Sequence, residues 1–170
     1  MKLSTMKKLL TSAIVILFFQ GCTSKVEIPV NHAGVIKIDG QVNTEVLKPG
    51  QHLINFGSEV IVYDVNLAYF NLELDFFFSD TTRGDLQVAI EFKPIADSLS
   101  AFYIKYQSIH ITPIIEQATG NVIRDLLFKY KHIDLTKNEF EIEIAKAIKA
   151  NHAIINYVEI REIDIVELRY

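Results

Sequence analysis

Histidine side chains are the first candidates for catalysis or metal binding in this chain, and their spacing predicts neither. They form no H-x-H or H-E-x-x-H pair, the spacings that bring two imidazoles to one metal ion. The chain also lacks the G-x-G-x-x-G, Walker A and G-x-S-x-G motifs. We therefore predict no catalytic residue, no cofactor, no metal site and no enzymatic activity. The five histidines are His32, His52, His110, His132 and His152.

Carboxylates are plentiful, and one run near the end of the chain could supply an acid/base pair. Its members are Glu159, Glu162, Asp164 and Glu167, within a segment rich in β-branched residues. No catalytic histidine or nucleophile motif stands beside them. This pattern is more typical of the solvated face of a strand than of a catalytic pair.

Two further features near the middle of the chain invite a functional interpretation. The tripeptide Arg83-Gly84-Asp85 spells a cell-adhesion motif at a predicted hairpin turn, which would expose it. Glycine and aspartate are ordinary turn residues, and so short a motif arises often by chance. Phe77 alternates with the neighbouring apolar residues, so it either packs under a helix or loop, or contacts lipid or another subunit.

The N-terminal residues carry the strongest chemical signal. Lys2, Lys7 and Lys8 precede the uncharged run Leu9–Phe19, and Gly21 stands before Cys22, the only cysteine. This segment resembles a bacterial lipoprotein signal peptide with its lipobox, and the apolar run is short for a membrane span. We predict that residues 1–21 are removed, that Cys22 carries diacylglycerol and acyl chains such as palmitate, and that residues 22–29 are a lipidated tether. An uncleaved anchor and a free buried thiol are the alternatives.

Charge and length bound what the rest can do. Residues 22–170 suit one domain. The three lysines of the signal leave 14 basic against 21 acidic residues, a net charge of −7. This acidity argues against nucleic-acid binding and leaves membrane attachment to the lipid. We predict a bacterial cell-envelope protein, lipid-anchored to a membrane and facing the periplasm, with no disulfide within the chain.

Alternating patterns predict strands in the first half. Val35–Ile38 is a short strand that ends at the turn dipeptide Asp39-Gly40, and Lys48-Pro49-Gly50 is a second turn. Strands at 52–55 and 60–65 are separated by Phe56-Gly57. The clearest signal is an antiparallel hairpin ending at Pro94, with one buried face on each strand. Those faces consist of Phe70, Leu72, Leu74, Phe76 and Phe78, and of Leu86, Val88, Ile90 and Phe92.

The second half changes to a helical period. Thr112-Pro113 predicts a helix start with Thr112 as the N-cap, and Ile115, Ala118, Val122 and Leu126 predict its buried face. Thr136 and Glu139 fit a capping box for a helix that runs to about Asn151, although alternation with glutamates leaves a strand there as the rival. Residues 154–168 return to strand character with a bulge near Arg161-Glu162.

This order of elements resembles the SPFH or band 7 domain, from about Val30 to Ile165, and is most similar to prohibitins. The resemblance implies an α+β domain, residues 30–170, with a twisted, mostly antiparallel sheet and packed helices. No a/d heptad run predicts the long C-terminal coiled coil of many relatives. The matching segments are 32–36, 39–40, 47–52, 85–88, 92–94, 114–126, 135–140 and 158–160.

The resemblance also implies a function. We expect a non-enzymatic scaffold that self-associates, alone or with other SPFH proteins, and organises membrane proteins or lipids. In relatives such domains assemble around membrane AAA proteases, so regulation of a membrane protease is one implied role. The alternative is a monomeric adaptor lipoprotein that binds one envelope partner.

Overall fold

The computed structural model describes residues 23–134 and 136–169. The predicted signal peptide and Cys22 lie outside these residues. Eight strands, one 3-10 turn and four helices are described. The strands are β1 Thr23–Ile28, β2 His32–Ile38, β3 Gln41–Leu47, β4 Gly50–Asn55, β5 Glu59–Asp64, β6 Ala68–Phe77, β7 Arg83–Pro94 and β8 Val158–Arg169. The 3-10 turn is Ala96–Ser98, and the helices are α1 Leu99–Tyr106, α2 Ile111–Leu127, α3 Lys137–Ala150 and α4 His152–Ile155.

All strand pairing is antiparallel, in three sheets. β1 and β4 form a two-stranded ribbon, β3-β2-β5 form a second sheet, and β6-β7-β8 form the third. The predicted α+β class and mostly antiparallel sheet are therefore confirmed.

The third sheet confirms the predicted hairpin. Along β6 every second residue is buried, and Phe70 pairs with Ile90 across the two strands. Both apolar faces assigned from the sequence are buried, and β7 ends at Pro94 as predicted. Helices α2, α3 and α4 cover this face, where the ring of Phe78 lies 5.4 Å from that of Phe140.

The second sheet is buried on both faces of its central strand, which is why 33–36 reads as a continuous apolar run. Val35 points into the main core, whereas Ile36 joins Ile28 and Leu47 in a smaller cluster under the ribbon. Between β2 and β3, Asp39 and Gly40 both have positive φ (49° and 81°), as a two-residue hairpin turn of type I′ requires.

One prediction about this region is wrong. The segment 23–28, expected to be part of a tether, is strand β1. Its alternate side chains Ser24, Val26 and Ile28 turn toward the small cluster, and the backbone pairs with β4 more than twenty residues away. That partner is invisible in the local pattern, because strand pairing supplies hydrogen bonds from distant sequence.

The helices differ in detail from the sequence pattern. A helix at 99–106 was not predicted; its Phe102 packs in the main core with a ring centroid 6.2 Å from that of Tyr63. Helix α2 starts at Ile111 with His110 as its N-cap, so Thr112 is not the cap; Pro113 sits in the first turn, where no backbone N–H is needed. Of the predicted face, Ile115 is fully buried, and the other three residues lie at the edge of the buried stripe. The fully buried apolar stripe is Ile111, Ile115, Ile123 and Leu127, whereas Ala118, Val122 and Leu126 are half-buried.

The last elements confirm the capping box and correct one boundary. The Glu139 N–H donates to the Thr136 hydroxyl, the Glu139 carboxylate accepts from the Thr136 N–H, and α3 follows as a helix, so the rival strand is wrong. Ile154 belongs to the short helix α4, and the strand starts only at Val158. The bulge is confirmed: Arg161 is the extra residue, since Phe92 pairs with Ile160 and Glu91 with Glu162.

Candidate interaction surfaces

The sheet β6-β7-β8 has one face on the helices and one face exposed, which we call the outer sheet face. It comprises the odd-numbered residues of β6 and β7 and the outward side chains of β8. The predicted solvated acidic face is part of it. Its charged residues are the acids Glu73, Asp75, Asp85, Glu91, Glu159, Glu162, Asp164 and Glu167 and the bases Arg83, Lys93, Arg161 and Arg169, a net charge of −4.

Like charges stand directly opposite each other on this face, which costs stability in a sheet. Asp75 faces Asp85, and Glu91 faces Glu162. At the first pair Arg83 relieves the repulsion, since its guanidinium lies 3.1 Å from the Asp75 carboxylate and 3.8 Å from that of Asp85. Hydrogen bonding to the Asp85 carboxyl, and then to Arg83, lowers the pKa of Asp75. The face keeps a net negative charge although Arg83, Arg161 and Arg169 pair with carboxylates on it.

A shallow depression of about 460 Å³ opens at the end of the outer sheet face. Glu73, Asp75, Asp85 and Glu167 line it, together with Arg83 and Arg169. The Arg169 guanidinium is paired with Glu167 at 2.6 Å. Carboxylates in such a depression suit hydrogen bonding with guanidinium or ammonium groups of a partner.

The adhesion-like tripeptide 83–85 is part of β7, not of the exposed turn that the sequence predicted. Gly84 pairs with Phe76, and Arg83 is held by the two aspartates. A side chain at Gly84 would collide with the Phe76 ring and lie 3.0 Å from the carbonyl oxygen of Arg169. Glycine is required there by packing, so the motif has a structural explanation.

Phe77 lies on the outer sheet face and is 57% exposed. The expectation that it packs under a helix or loop is therefore wrong. Its exposure follows from the strict alternation of β6, which commits Phe76 and Phe78 to the core. An exposed aromatic ring beside acidic groups suits a protein contact.

The histidines are not brought together. Among residues 23–134 and 136–169, no three His, Cys, Asp or Glu side chains are placed to hold a metal ion. His132 Nδ1 lies 2.7 Å from Asp80 Oδ2, and the His132 N–H donates to the same oxygen. This pair joins the β6–β7 loop to the α2–α3 loop.

Hydrogen bonds from both loops hold the Asp80 carboxylate in that position. Partial desolvation raises the pKa of Asp80, but hydrogen bonds from His132 and from the Thr82 N–H outweigh it and hold the pKa well below its usual range. Neither loop pattern in the sequence predicted this pairing, because the two residues are 52 positions apart.

A second, more apolar groove of about 270 Å³ lies beside the start of α2. Leu67 and Ile109 are exposed at it, and the Tyr63 hydroxyl beneath donates to the Ser108 carbonyl at 2.7 Å. Burial, with a smaller effect of Tyr103, raises the pKa of Tyr63 to about 12. That phenol stays protonated at neutral pH and acts as a structural donor.

The end of the β1-β4 ribbon is a third surface. Thr23 pairs with Asn55, so the position next to Cys22 lies beside the turn that follows β4. Leu53 and Phe56 are exposed there, and Lys25 stands opposite Leu53. We call Leu53, Phe56 and Gly57 the ribbon end. The sequence identified Phe56-Gly57 as a strand break but not as an exposed apolar tip.

Comparison with protein families matches residues 26–170 to the SPFH domain / Band 7 family. The chain belongs to the SPFH domain / Band 7 family. The resemblance predicted from the sequence is confirmed at the level of the family. Members of this family are generally membrane-associated, non-enzymatic scaffolds. No curated protein sequence matches the chain.

Gly34, in the SPFH-like segment 32–36, has a packing role. It lies on the side of β2 that faces the ribbon, where Ile28, Val60 and Leu47 leave no room for a Cβ atom.

No helix within the described residues is long and apolar enough to cross a membrane.

Proposed function

We propose that this SPFH protein is a lipid-anchored, non-enzymatic scaffold in a bacterial cell envelope. Cys22 carries the lipid, and the domain faces the periplasm. It self-associates laterally, alone or with other SPFH proteins, and organises membrane proteins or lipids, with a membrane AAA protease as one partner class.

The observation that carries this proposal is the family match across residues 26–170, since members are generally membrane scaffolds. The outer sheet face adds support, because its exposed charges and aromatic ring suit a protein contact. The lipobox-like sequence before Cys22 supplies the membrane link.

Tethering is the mechanism. A lipid anchor confines the domain to two dimensions, which raises its effective concentration, so weak contacts between domains suffice for assembly. Two or more acyl chains are needed for stable attachment, which diacylglycerol on Cys22 provides.

The acidity of the outer sheet face favours a second candidate, a monomeric adaptor lipoprotein with one basic envelope partner. Two copies of a face with a net charge of −4 repel each other, whereas a cationic partner is attracted. Under the adaptor hypothesis, assembly of this chain alone does not occur.

The native mass of the detergent-extracted protein separates the two candidates, measured by size exclusion with light scattering at low and high salt. A discrete oligomer in both conditions supports the scaffold. A monomer in both supports the adaptor, and the outer sheet face then becomes the surface to test for a partner that dissociates with salt.

The lipid anchor has its own test. Cys22→Ser is expected to abolish acylation and leave the precursor unprocessed, because the thiol is the attachment site. Mass spectrometry of the N-terminal peptide and membrane fractionation check this, with Thr23→Ser as the matched control. Normal processing and retention of the Cys22→Ser protein would contradict the lipoprotein assignment and support an uncleaved anchor.

A further inference from the structure

The ribbon end places two large apolar side chains at the point where the lipid attachment site joins the domain. Thr23 is the first residue of β1 and pairs with Asn55, the last residue of β4. Phe56 follows Asn55 directly, and the turn closes with a hydrogen bond from the Ser58 N–H to the Asn55 carbonyl. Thr23 directly follows Cys22 in the chain, and Thr23 and Phe56 lie at the same end of the strand pair.

Packing within the domain does not account for these side chains. Phe56 is 76% exposed and Leu53 is 75% exposed. The neighbouring side chains Ile54 and Val26 turn the other way and pack on the small cluster. The outward face of the ribbon therefore ends in two large apolar side chains that the described residues leave exposed.

Along the ribbon, the basic residue lies nearer to the exposed apolar side chains than the acidic residue does. Lys25 stands opposite Leu53, two residues from the start of β1, and Glu27 stands opposite Gln51. At about 3.4 Å per residue, Leu53 lies roughly 7 Å and Glu27 roughly 14 Å along the strands from the Thr23–Asn55 pair. Interfacial elements sink about 5–10 Å into the boundary between headgroups and acyl chains. That depth takes in Phe56 and Leu53, brings Lys25 to the lipid phosphates, and leaves Glu27 in water.

We propose that the ribbon end inserts into the surface of the bilayer that holds the Cys22 lipid. Phe56 and Leu53 enter the interface, and the Lys25 ammonium contacts lipid phosphate. This inference rests on the proposed lipid anchor and adds a second contact. A lipid anchor alone leaves the orientation of the domain free, whereas an inserted ribbon end beside it fixes the orientation of the domain on the membrane.

Tryptophan fluorescence tests the insertion directly, because the chain contains no tryptophan. Phe56→Trp places a single reporter at the ribbon end. Phe128→Trp is the matched control, since Phe128 is 65% exposed at the end of α2. The full-length proteins are reconstituted into vesicles of phosphatidylethanolamine and phosphatidylglycerol, with or without brominated phosphatidylcholine.

We expect the emission of the Phe56→Trp protein to shift to shorter wavelength and to lose intensity with brominated lipid, while that of the Phe128→Trp protein does neither. Leu53→Trp is a second reporter, which should give the same result if the first variant misfolds. Emission from both ribbon-end reporters that brominated lipid leaves unchanged would overturn the proposal. A blue shift without quenching would also overturn it, and would mean that a second copy of the chain covers the tip.

Mass spectrometry of the N-terminal peptide in the same samples keeps this inference separate from the proposed function. Acylated Cys22 without quenching at the ribbon end leaves the lipid anchor standing and removes the insertion. Quenching without acylation supports the insertion and removes the anchor.

Discussion

Replacing Gly34 with alanine should destabilise the contact between the ribbon and the second sheet. A Cβ atom at Gly34 would lie 2.7 Å from Ile28 Cδ1, 3.1 Å from Val60 Cγ1 and 3.3 Å from Leu47 Cβ. Ile28 is itself buried, and Leu47 Cβ moves only with its backbone. The added methyl group therefore has to push the ribbon away from β2.

The magnitude follows from two opposing effects. Overpacking a filled core costs about 1–3 kcal/mol. Alanine restricts the unfolded chain more than glycine and returns about 0.5–1 kcal/mol. We expect a net loss of about 1–2 kcal/mol, equivalent to a fall in Tm of roughly 2–8 °C for a domain of this size.

The assay is thermal and urea unfolding of the purified protein, followed by circular dichroism. Gly120→Ala is the matched control, because a Cβ there meets Arg124, Leu74 and Leu72 at ordinary distances of 3.4 to 3.9 Å. Gly120 lies inside α2, where alanine is favoured by up to about 1 kcal/mol, so this variant should be as stable as the parent or more so.

Equal stability of the Gly34→Ala protein and the parent would refute the packing of the ribbon on β2. A Gly120→Ala protein that loses as much stability as Gly34→Ala would refute the use of Cβ distances to separate the two sites. A loss of stability in the Gly34→Ala protein alone would support both the packing of the ribbon on β2 and the use of Cβ distances.

Two other predictions concern the core and the loop pair. Ile90→Asp should abolish cooperative unfolding, because Ile90 is 1% exposed and an unpaired buried charge costs several kcal/mol. Near-UV circular dichroism checks this, with Asn71→Asp on the outer sheet face as the control. A folded Ile90→Asp protein would reverse our assignment of the hairpin faces. The lowered pKa of Asp80 stabilises the fold fully above the usual aspartate pKa of about 3.9, and this stabilisation is lost as the pH falls from there toward the lower native pKa. Asp80→Asn should remove that part of the acid dependence of stability while exposed Asp97→Asn does not, and identical acid profiles for Asp80→Asn and the parent would contradict the pairing with His132.

These tests bear on the two surfaces that matter for the proposed function. The outer sheet face offers negative charge and an exposed aromatic ring to a partner, whereas the ribbon end offers apolar groups at the start of β1, the proposed membrane side. A scaffold that stands in a fixed orientation presents the outer sheet face at a constant angle. The proposed insertion of the ribbon end would therefore help the outer sheet face to meet its partner.

Much of this protein could be predicted from short-range pattern. The alternation of Phe70 to Phe78 identifies a buried strand face without its partner, because side-chain direction has a period of two. The Thr136–Glu139 capping box identifies the start of a helix because both of its hydrogen bonds close within one turn. The Asp39-Gly40 turn is equally local, since two positive φ angles select those residue types.

The rest depended on contacts between distant parts of the chain. Thr23–Ile28 is a strand only because β4 supplies its hydrogen bonds, and the helix at Leu99–Tyr106 is held where Phe102 packs against Tyr63. Likewise, Asp80 contacts His132 across 52 positions, and Phe56 lies beside Thr23 only through the pairing of Thr23 with Asn55. The sequence alone determined the family, because the matching segments follow one another in order along the chain. It also determined the buried faces of the hairpin and the candidate lipid site at Cys22, because each depends on residues close together in the chain. The tertiary structure decided which surfaces are left exposed, because burial depends on contacts between segments that are far apart in the sequence.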